Sequence, residues 1–243
     1  IPVYNAENTI RKAVKSIDTT HDVEIICIND GSTDRTKQVL TELQKEVKHL
    51  IVYHQDNQGA AKSRNMGLSA MSDDIDAFMF LDADDQFLPG KMDQMIQYYE
   101  KNDHLDIVIG QIGRGMHGDW KVIPTHEDIH REAMVSLAEA PEILQSIGPG
   151  GKLFKAKFNT LRFDEDVVFC EEHTFVTRAY LMSRDIQLVP FIVYGYNERE
   201  GSITDQRADT FISYLEDARK VRREVMDMLL LSLIHISEPT RPR

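Results

Sequence analysis

Along the first hundred residues, short apolar runs alternate with stretches whose apolar positions recur every three or four residues. Ile1 to Tyr4 reads as the end of a strand, and Ile10, Ala13, Val14 and Ile17 then line one helical face. Val23 to Asp30 is a β-branched strand closed by Gly31-Ser32-Thr33-Asp34. Val39, Leu40, Leu43 and Val47 follow at helical spacing, with Thr33 or Asp34 placed to cap. Leu50 to His54 is a third strand, and a helix follows from Ala60 to about Met71. Ala77 to Leu81 is a fourth strand, ending at Asp82-Ala83-Asp84-Asp85. Pro89 opens a helix reaching Lys101, and Ile107 to Gly110 is a fifth strand.

This order predicts βαβ units, an α/β fold and a mostly parallel, buried central sheet flanked by helices. Ligands of such sheets sit beyond the carboxyl ends of the strands. Each motif that could carry chemistry falls at one of those ends. The second half is less regular. It predicts a helix over 140–147, a break at Gly148 to Gly151, and a strand or amphipathic segment over 152–158. A helix from Glu172 to Ser183 and a strand from Gln187 to Tyr196 follow.

The 243 residues, 42 % apolar, can bury the core of one large domain or two small ones. The net charge of −12 argues against nucleic acid as a partner, because that surface must be basic. An anionic nucleotide would instead call for a divalent cation held by carboxylates. Cys27 and Cys170 lie in apolar runs without ligand spacing, which predicts buried free thiols in a reducing, cytoplasmic setting. No apolar run is long enough to span a bilayer. The chain opens within a strand and without Met, as a clipped sequence would. Residues 231–243 resemble a translated sequencing adapter and are set aside as a non-native tail.

Four motifs stand in order. Pro2-Val3-Tyr4-Asn5 offers an aromatic ring that could flank a base. Asn29-Asp30-Gly31-Ser32-Thr33-Asp34 offers a strand-end carboxylate that could accept from a base or ribose. Gly59 to Gly67 opens a helix carrying Lys62 and Arg64, where the dipole favours anions. Asp82-Ala83-Asp84 places two carboxylates on one side of a strand end, suited to Mg²⁺ or Mn²⁺. Each alone reads equally as a polar turn, a cap or a solvated helix face.

Together they resemble the family 2 inverting glycosyltransferases of the GT-A nucleotide-sugar fold, most firmly over residues 1–110. The resemblance implies that 1–110 binds the donor, and that 111–228 holds the acceptor and the catalytic base. It implies Pro2, Tyr4 and Asp30 at the nucleotide, Arg64 near the donor phosphates or sugar, Asp82 near the ribose or sugar, and Asp84 with Asp82 at the metal; Lys62, beside Arg64 at the helix start, is the other basic residue that could hold the diphosphate. The family's Glu-Asp pair is matched by Glu171-Glu172, with Glu172 as base one methylene longer than usual and Glu171 as the second choice. His173 reads as a histidine on the helix surface. Arg199, ahead of Ser202-Ile203-Thr204, resembles a phosphate clamp, and Lys152 an acceptor-side residue. The implied reaction moves a sugar from a UDP-sugar to an acceptor hydroxyl in cell-surface glycan synthesis. A lipid-linked or glycan acceptor would place the protein at the cytoplasmic face of the membrane. The competing classes are a nucleotidyltransferase, which would carry a Gly-rich basic loop where Tyr4 to Asn8 stand, and a binding module without turnover.

Overall fold

The computed structural model describes residues 1–116, 118–197 and 207–237. Three parallel strands open the chain: β1 (Pro2–Val3), β2 (Ile25–Asp30) and β3 (Leu50–Gln55), with β2 in the middle. Each is followed by a helix: α1 (Ile10–Lys15), α2 (Thr36–Glu46) and α3 (Ala60–Ser69). The apolar spacing explains what they bury: Ile10, Ala13 and Val14 from α1, and Leu40 and Leu43 from α2. Asp34 accepts the Thr36 N–H at 2.9 Å where α2 begins, satisfying one of the unpaired first-turn donors. Val3 stands opposite Asn29, and Asp30 opposite Gln55. Tyr4, Asp30 and Gln55 therefore end on one sheet edge.

The remaining elements are β4 (Ala77–Met79), β5 (Gln86–Phe87), α4 (Lys91–Glu100), β6 (Ile107–Met116), β7 (Asp119–Val122), β8 (Ala133–Val135), β9 (Lys152–Lys155), α5 (Glu171–Met182), β10 (Ile186–Asn197) and α6 (Arg207–Ser237). A seven-stranded sheet runs β4-β9-β6-β10-β5, with β7 on β6 and β8 on β10. β6 and β10 are parallel; β9 runs antiparallel to both β4 and β6. The α/β architecture is the expected one, and its parallel pairs lie within β1–β3 and between β6 and β10. No helix among the described residues is long and apolar enough to cross a membrane.

Three segments differ from the pattern. The helix over 140–147 is only a 3₁₀ turn, Pro141–Gln145, and β9 gives way to another, Ala156–Thr160. β6 outruns its apolar stretch to form a hairpin with β7, where the sequence turns glycine-rich and periodicity is silent. A Cβ on Gly195 would lie 2.8 Å from the Trp120 ring, so that face is small because the indole covers it. α6 stays helical through Ser237, into the segment set aside above.

One core lies between α1, α2, α4 and the first strands. The other is aromatic: Phe80 packs edge-on to Phe163 and Phe175 at 5.2 and 5.7 Å, and those two stack at 4.3 Å. Such pairs contribute about 0.5–1.5 kcal/mol each beyond area burial. Phe80 precedes Asp82 by two residues, and Phe175 follows Glu172 by three. The cluster therefore fixes the β4 end against the start of α5.

Candidate active site

At the rim of β1, Asn5 adopts φ +46°, a left-handed conformation that asparagine tolerates. Its side chain accepts the Thr33 N–H at 2.8 Å, while its own N–H donates to Ser32 Oγ at 3.0 Å. The loops after β1 and β2 are thereby braced together, and Tyr4 is left 52 % exposed beside Pro2. Asp30 is 4 % exposed. It accepts from Gln55 Nε2 (2.6 Å), Gln58 N (2.8 Å) and Gly59 N (2.8 Å). About one of a carboxylate's four acceptor positions remains. Asp30 thus pins the turn that opens α3.

Arg64 lies at the centre and is 8 % exposed. Its guanidinium donates to Asp82 Oδ1 at 2.9 Å and to Glu171 Oε1 at 2.8 Å, and lies 5.4 Å from the Phe163 ring centre. Burial opposes the charge, but Asp82 and Glu171 outweigh it and raise its pKa. Asn65 turns to the other side, where its amide donates to Phe163 O (3.1 Å) and accepts Phe163 N–H (2.8 Å). Lys62, two positions from Arg64 and so about 200° around the helix, faces a separate hollow of about 360 Å³ lined by Gln55, Arg162 and Glu165. The structure therefore does not bring Lys62 and Arg64 together.

The Asp82–Asp85 turn is clasped from behind by β10. The Tyr194 hydroxyl accepts the Asp82 N–H at 3.2 Å and donates to Asp85 Oδ2 at 2.7 Å. Asn197 donates its N–H to Asp85 Oδ1 (3.0 Å) and its amide to Asp84 O (2.7 Å). Burial, then Asp82 and Asp84, push the Asp85 carboxyl up to about 8. Among the described residues no group of three or more ligating side chains forms a complete metal cage. Two carboxylates at a strand end suit Mg²⁺ or Mn²⁺, which takes one or two carboxylates and completes its shell with phosphate and water.

Glu171 and Glu172 start α5, behind Cys170 at φ +68°. Glu171 is held by Arg64 with its side chain 13 % exposed; burial and Glu172 raise it to about 7. The Glu172 side chain is 26 % exposed, with His173 Nε2 at 3.9 Å. His173, expected on the helix surface, is only partly exposed, its side chain at 19 %, and that burial lowers its pKa. Cys27 is buried and Cys170 partly so, both free. Lys152 is fully buried, its ammonium donating to Ser146 Oγ (2.8 Å) and Gly148 O, so it lies beneath any acceptor surface rather than on it. Arg199 lies outside the described residues.

Asp85, Tyr194 and Asn197 were not singled out from the sequence. Asp85 alone left a signal, as the third acid of the Asp82–Asp85 run.

The fold is that of the GT-A glycosyltransferases. Staphylococcus aureus TarS 1–349 in complex with UDP-GlcNAc superposes with a TM-score of 0.74 at 21 % identity, over 90 % of this chain and 63 % of that one. The mannosyltransferase PcManGT from Pyrobaculum calidifontis, with GDP-Man and Mn²⁺, gives 0.62 at 15 % identity, over 90 % and 62 %. The chain belongs to glycosyl transferase family 2, whose model matches residues 1–169. TagX of Staphylococcus aureus, named as a glycosyltransferase, is 37 % identical over 95 % of the chain. The chain spans 66 % of TagX, about two thirds of its length.

Proposed function

We propose that the protein transfers a sugar from a nucleoside-diphosphate donor, UDP-linked in the first instance, to an acceptor hydroxyl with inversion. The observation that carries this is the Arg64 bridge, which holds Asp82 of the donor loop and Glu171 of the base pair on one buried guanidinium. The complexes of TarS with UDP-GlcNAc and of PcManGT with GDP-Man and Mn²⁺ support the donor class.

In this reading Tyr4 flanks the base, and Asp30 fixes the loop that meets the nucleotide. Asp84, with Asp82, is the pair to hold Mn²⁺ or Mg²⁺, which when bound supplies charge stabilisation for the departing diphosphate. Arg64 orients Asp82 and keeps Glu171 engaged, leaving the more exposed Glu172 as the base. Glu172 takes the acceptor hydroxyl proton as that oxygen bonds the anomeric carbon. The bond to the diphosphate oxygen breaks, and its electron pair leaves with the nucleotide. General-base help of this kind is worth about 10²–10⁴-fold. A lipid-linked or glycan acceptor fits a role in cell-surface polymer synthesis, with peripheral association at the membrane.

The test is calorimetry of UDP with Mn²⁺ and with EDTA, on the parent chain and on Asp84→Ala. Binding that needs the metal and disappears in the variant supports the donor site. Metal-independent binding, equal in both proteins, overturns the metal assignment.

A further inference from the structure

The carboxylate pair that starts α5 follows a stretch of chain with no helix or strand of its own. Residues 161–170 are irregular, so their backbone donors must find partners elsewhere. Asn65 accepts the Phe163 N–H, and Asp164 accepts the Asp166 N–H at 2.9 Å. Immediately before the pair, Asp217 of α6 takes two such donors. Its Oδ2 accepts the Val168 N–H at 2.9 Å and the Phe169 N–H at 3.1 Å. Hydrogen bonds to an ionised acceptor are the stronger kind. Val168 is 81 % exposed, so its side chain does not hold the turn; the carboxylate does.

The start of α5 depends on that hold. Cys170 stands at φ +68°, a conformation costing a non-glycine residue about 1–2 kcal/mol, and makes no side-chain cap to the helix. Such a residue keeps its conformation only where its surroundings impose it. Asp217 fixes the two residues before it, and Arg64 fixes Glu171 just after it. Glu172 comes next, so its backbone takes its place and direction from this bracketed turn. The same face of α6 adds two contacts to the segment. Tyr214 stacks on Phe169 with ring centres 5.0 Å apart, and Lys220 Nζ lies 3.3 Å from Asp164 Oδ2. Residues 214, 217 and 220 recur every three positions and share that face, beside the fully buried Val221. The Lys220 pair is partly solvated and contributes little, which leaves Asp217 as the polar anchor.

We propose that Asp217 is a positioning residue of the transfer reaction: from α6 it holds the Val168–Phe169 turn and thereby sets where α5 presents Glu172. The reading of Glu172 as base underlies this role, but the first test is independent of it. Amide hydrogen exchange is followed by NMR in the parent chain and in Asp217→Ala. The Val168 and Phe169 amides are expected to exchange about tenfold faster or more in the variant, while the Phe163 amide, held by Asn65, keeps its rate. Asp217→Asn retains a carbonyl oxygen that can accept both N–H groups and is expected to restore most of the protection. Asp217→Ser, too short to reach the turn, serves where the Ala variant fails to fold. Unchanged exchange at residues 168 and 169 in a folded Asp217→Ala overturns the proposal. The second readout is kcat for UDP release from UDP-GlcNAc. Asp217→Ala is expected to lower it about 10²-fold with donor KM unchanged, and Asp217→Asn to recover most of that loss. In a Glu172→Gln background Asp217→Ala should lower it no further. An Asn variant as slow as the Ala variant, or equal losses in both backgrounds, overturns the positioning role, whereas full turnover by Glu172→Gln alone overturns the base assignment instead.

Discussion

Arg64 and Glu171, 107 positions apart in sequence, meet in a 2.8 Å hydrogen bond, and the same guanidinium holds Asp82 at 2.9 Å. The turn after β4 and the start of α5 are thus joined by one side chain. Lysine could keep the charge but not two separated N–H groups on a rigid plane. Arg64→Lys is expected to fold and to lose about 10²-fold in kcat through misplacement. Arg64→Met leaves Glu171 buried without its cation and should cost about 3 kcal/mol of stability. Thermal melts read beside kcat separate the two. Wild-type turnover in Arg64→Lys would show that the bridge is structural only.

Glu172→Gln tests the base directly. The amide cannot take a proton, yet it keeps the size of the side chain. We expect kcat to fall by about 10²–10⁴-fold with the donor Kd unchanged. Glu171→Gln is the contrasting variant, because it loses its charged bond to Arg64 and should lower both kcat and thermal stability. If Glu171→Gln abolishes turnover while Glu172→Gln spares it, the two roles are exchanged.

His126 makes stability depend on pH. Burial, then the nearby Lys152, lower its pKa to about 3, while in the unfolded chain it returns to about 6.5. Between those values the unfolded chain binds a proton that the native state does not. His126 therefore contributes stability that is present above pH 6.5 and is lost as pH falls towards 3. Glu171 and Asp85, both raised, act in the opposite sense, so the informative quantity is a difference. Parent minus His126→Gln should change by up to about 1.4 kcal/mol per pH unit across that window. Denaturant melts at four pH values suffice, and parallel curves would refute the neutral, buried imidazole.

The strand-end placement of the motifs was legible because each follows an apolar run: Tyr4 after β1 and Asp30 at the end of β2 in one sheet, and Asp82 after β4 in the other. The opposed directions of Lys62 and Arg64 were also available, since two helical positions differ by about 200°. What periodicity could not reach was long-range pairing. β9 inserts between β4 and β6, and nothing near Lys152 in sequence says that it will be buried against Ser146 and His126. Asn65 is similar. It stands beside Arg64 in its motif with nothing local to mark a distant partner, yet its amide closes two bonds on Phe163, almost a hundred residues away.

Gly31, just after β2, and Gly90, which opens α4, form a matched pair. Both are left-handed, at φ +69° and +68°. A Cβ on Gly90 would meet nothing within 4 Å, whereas one on Gly31 would lie 2.7 Å from the backbone nitrogen of Asn57. Alanine at either position pays the same left-handed penalty of about 1–2 kcal/mol. At Gly31 the Asn57 backbone must also move, and the next two residues donate their N–H groups to Asp30. Gly31→Ala should therefore lose more stability than Gly90→Ala and should weaken UDP binding, which Gly90→Ala leaves intact. Melting temperatures and calorimetry on the two variants decide it. Equal effects would mean that the Asn57–Gly59 turn yields freely and is not what Asp30 and Gly31 together hold in place.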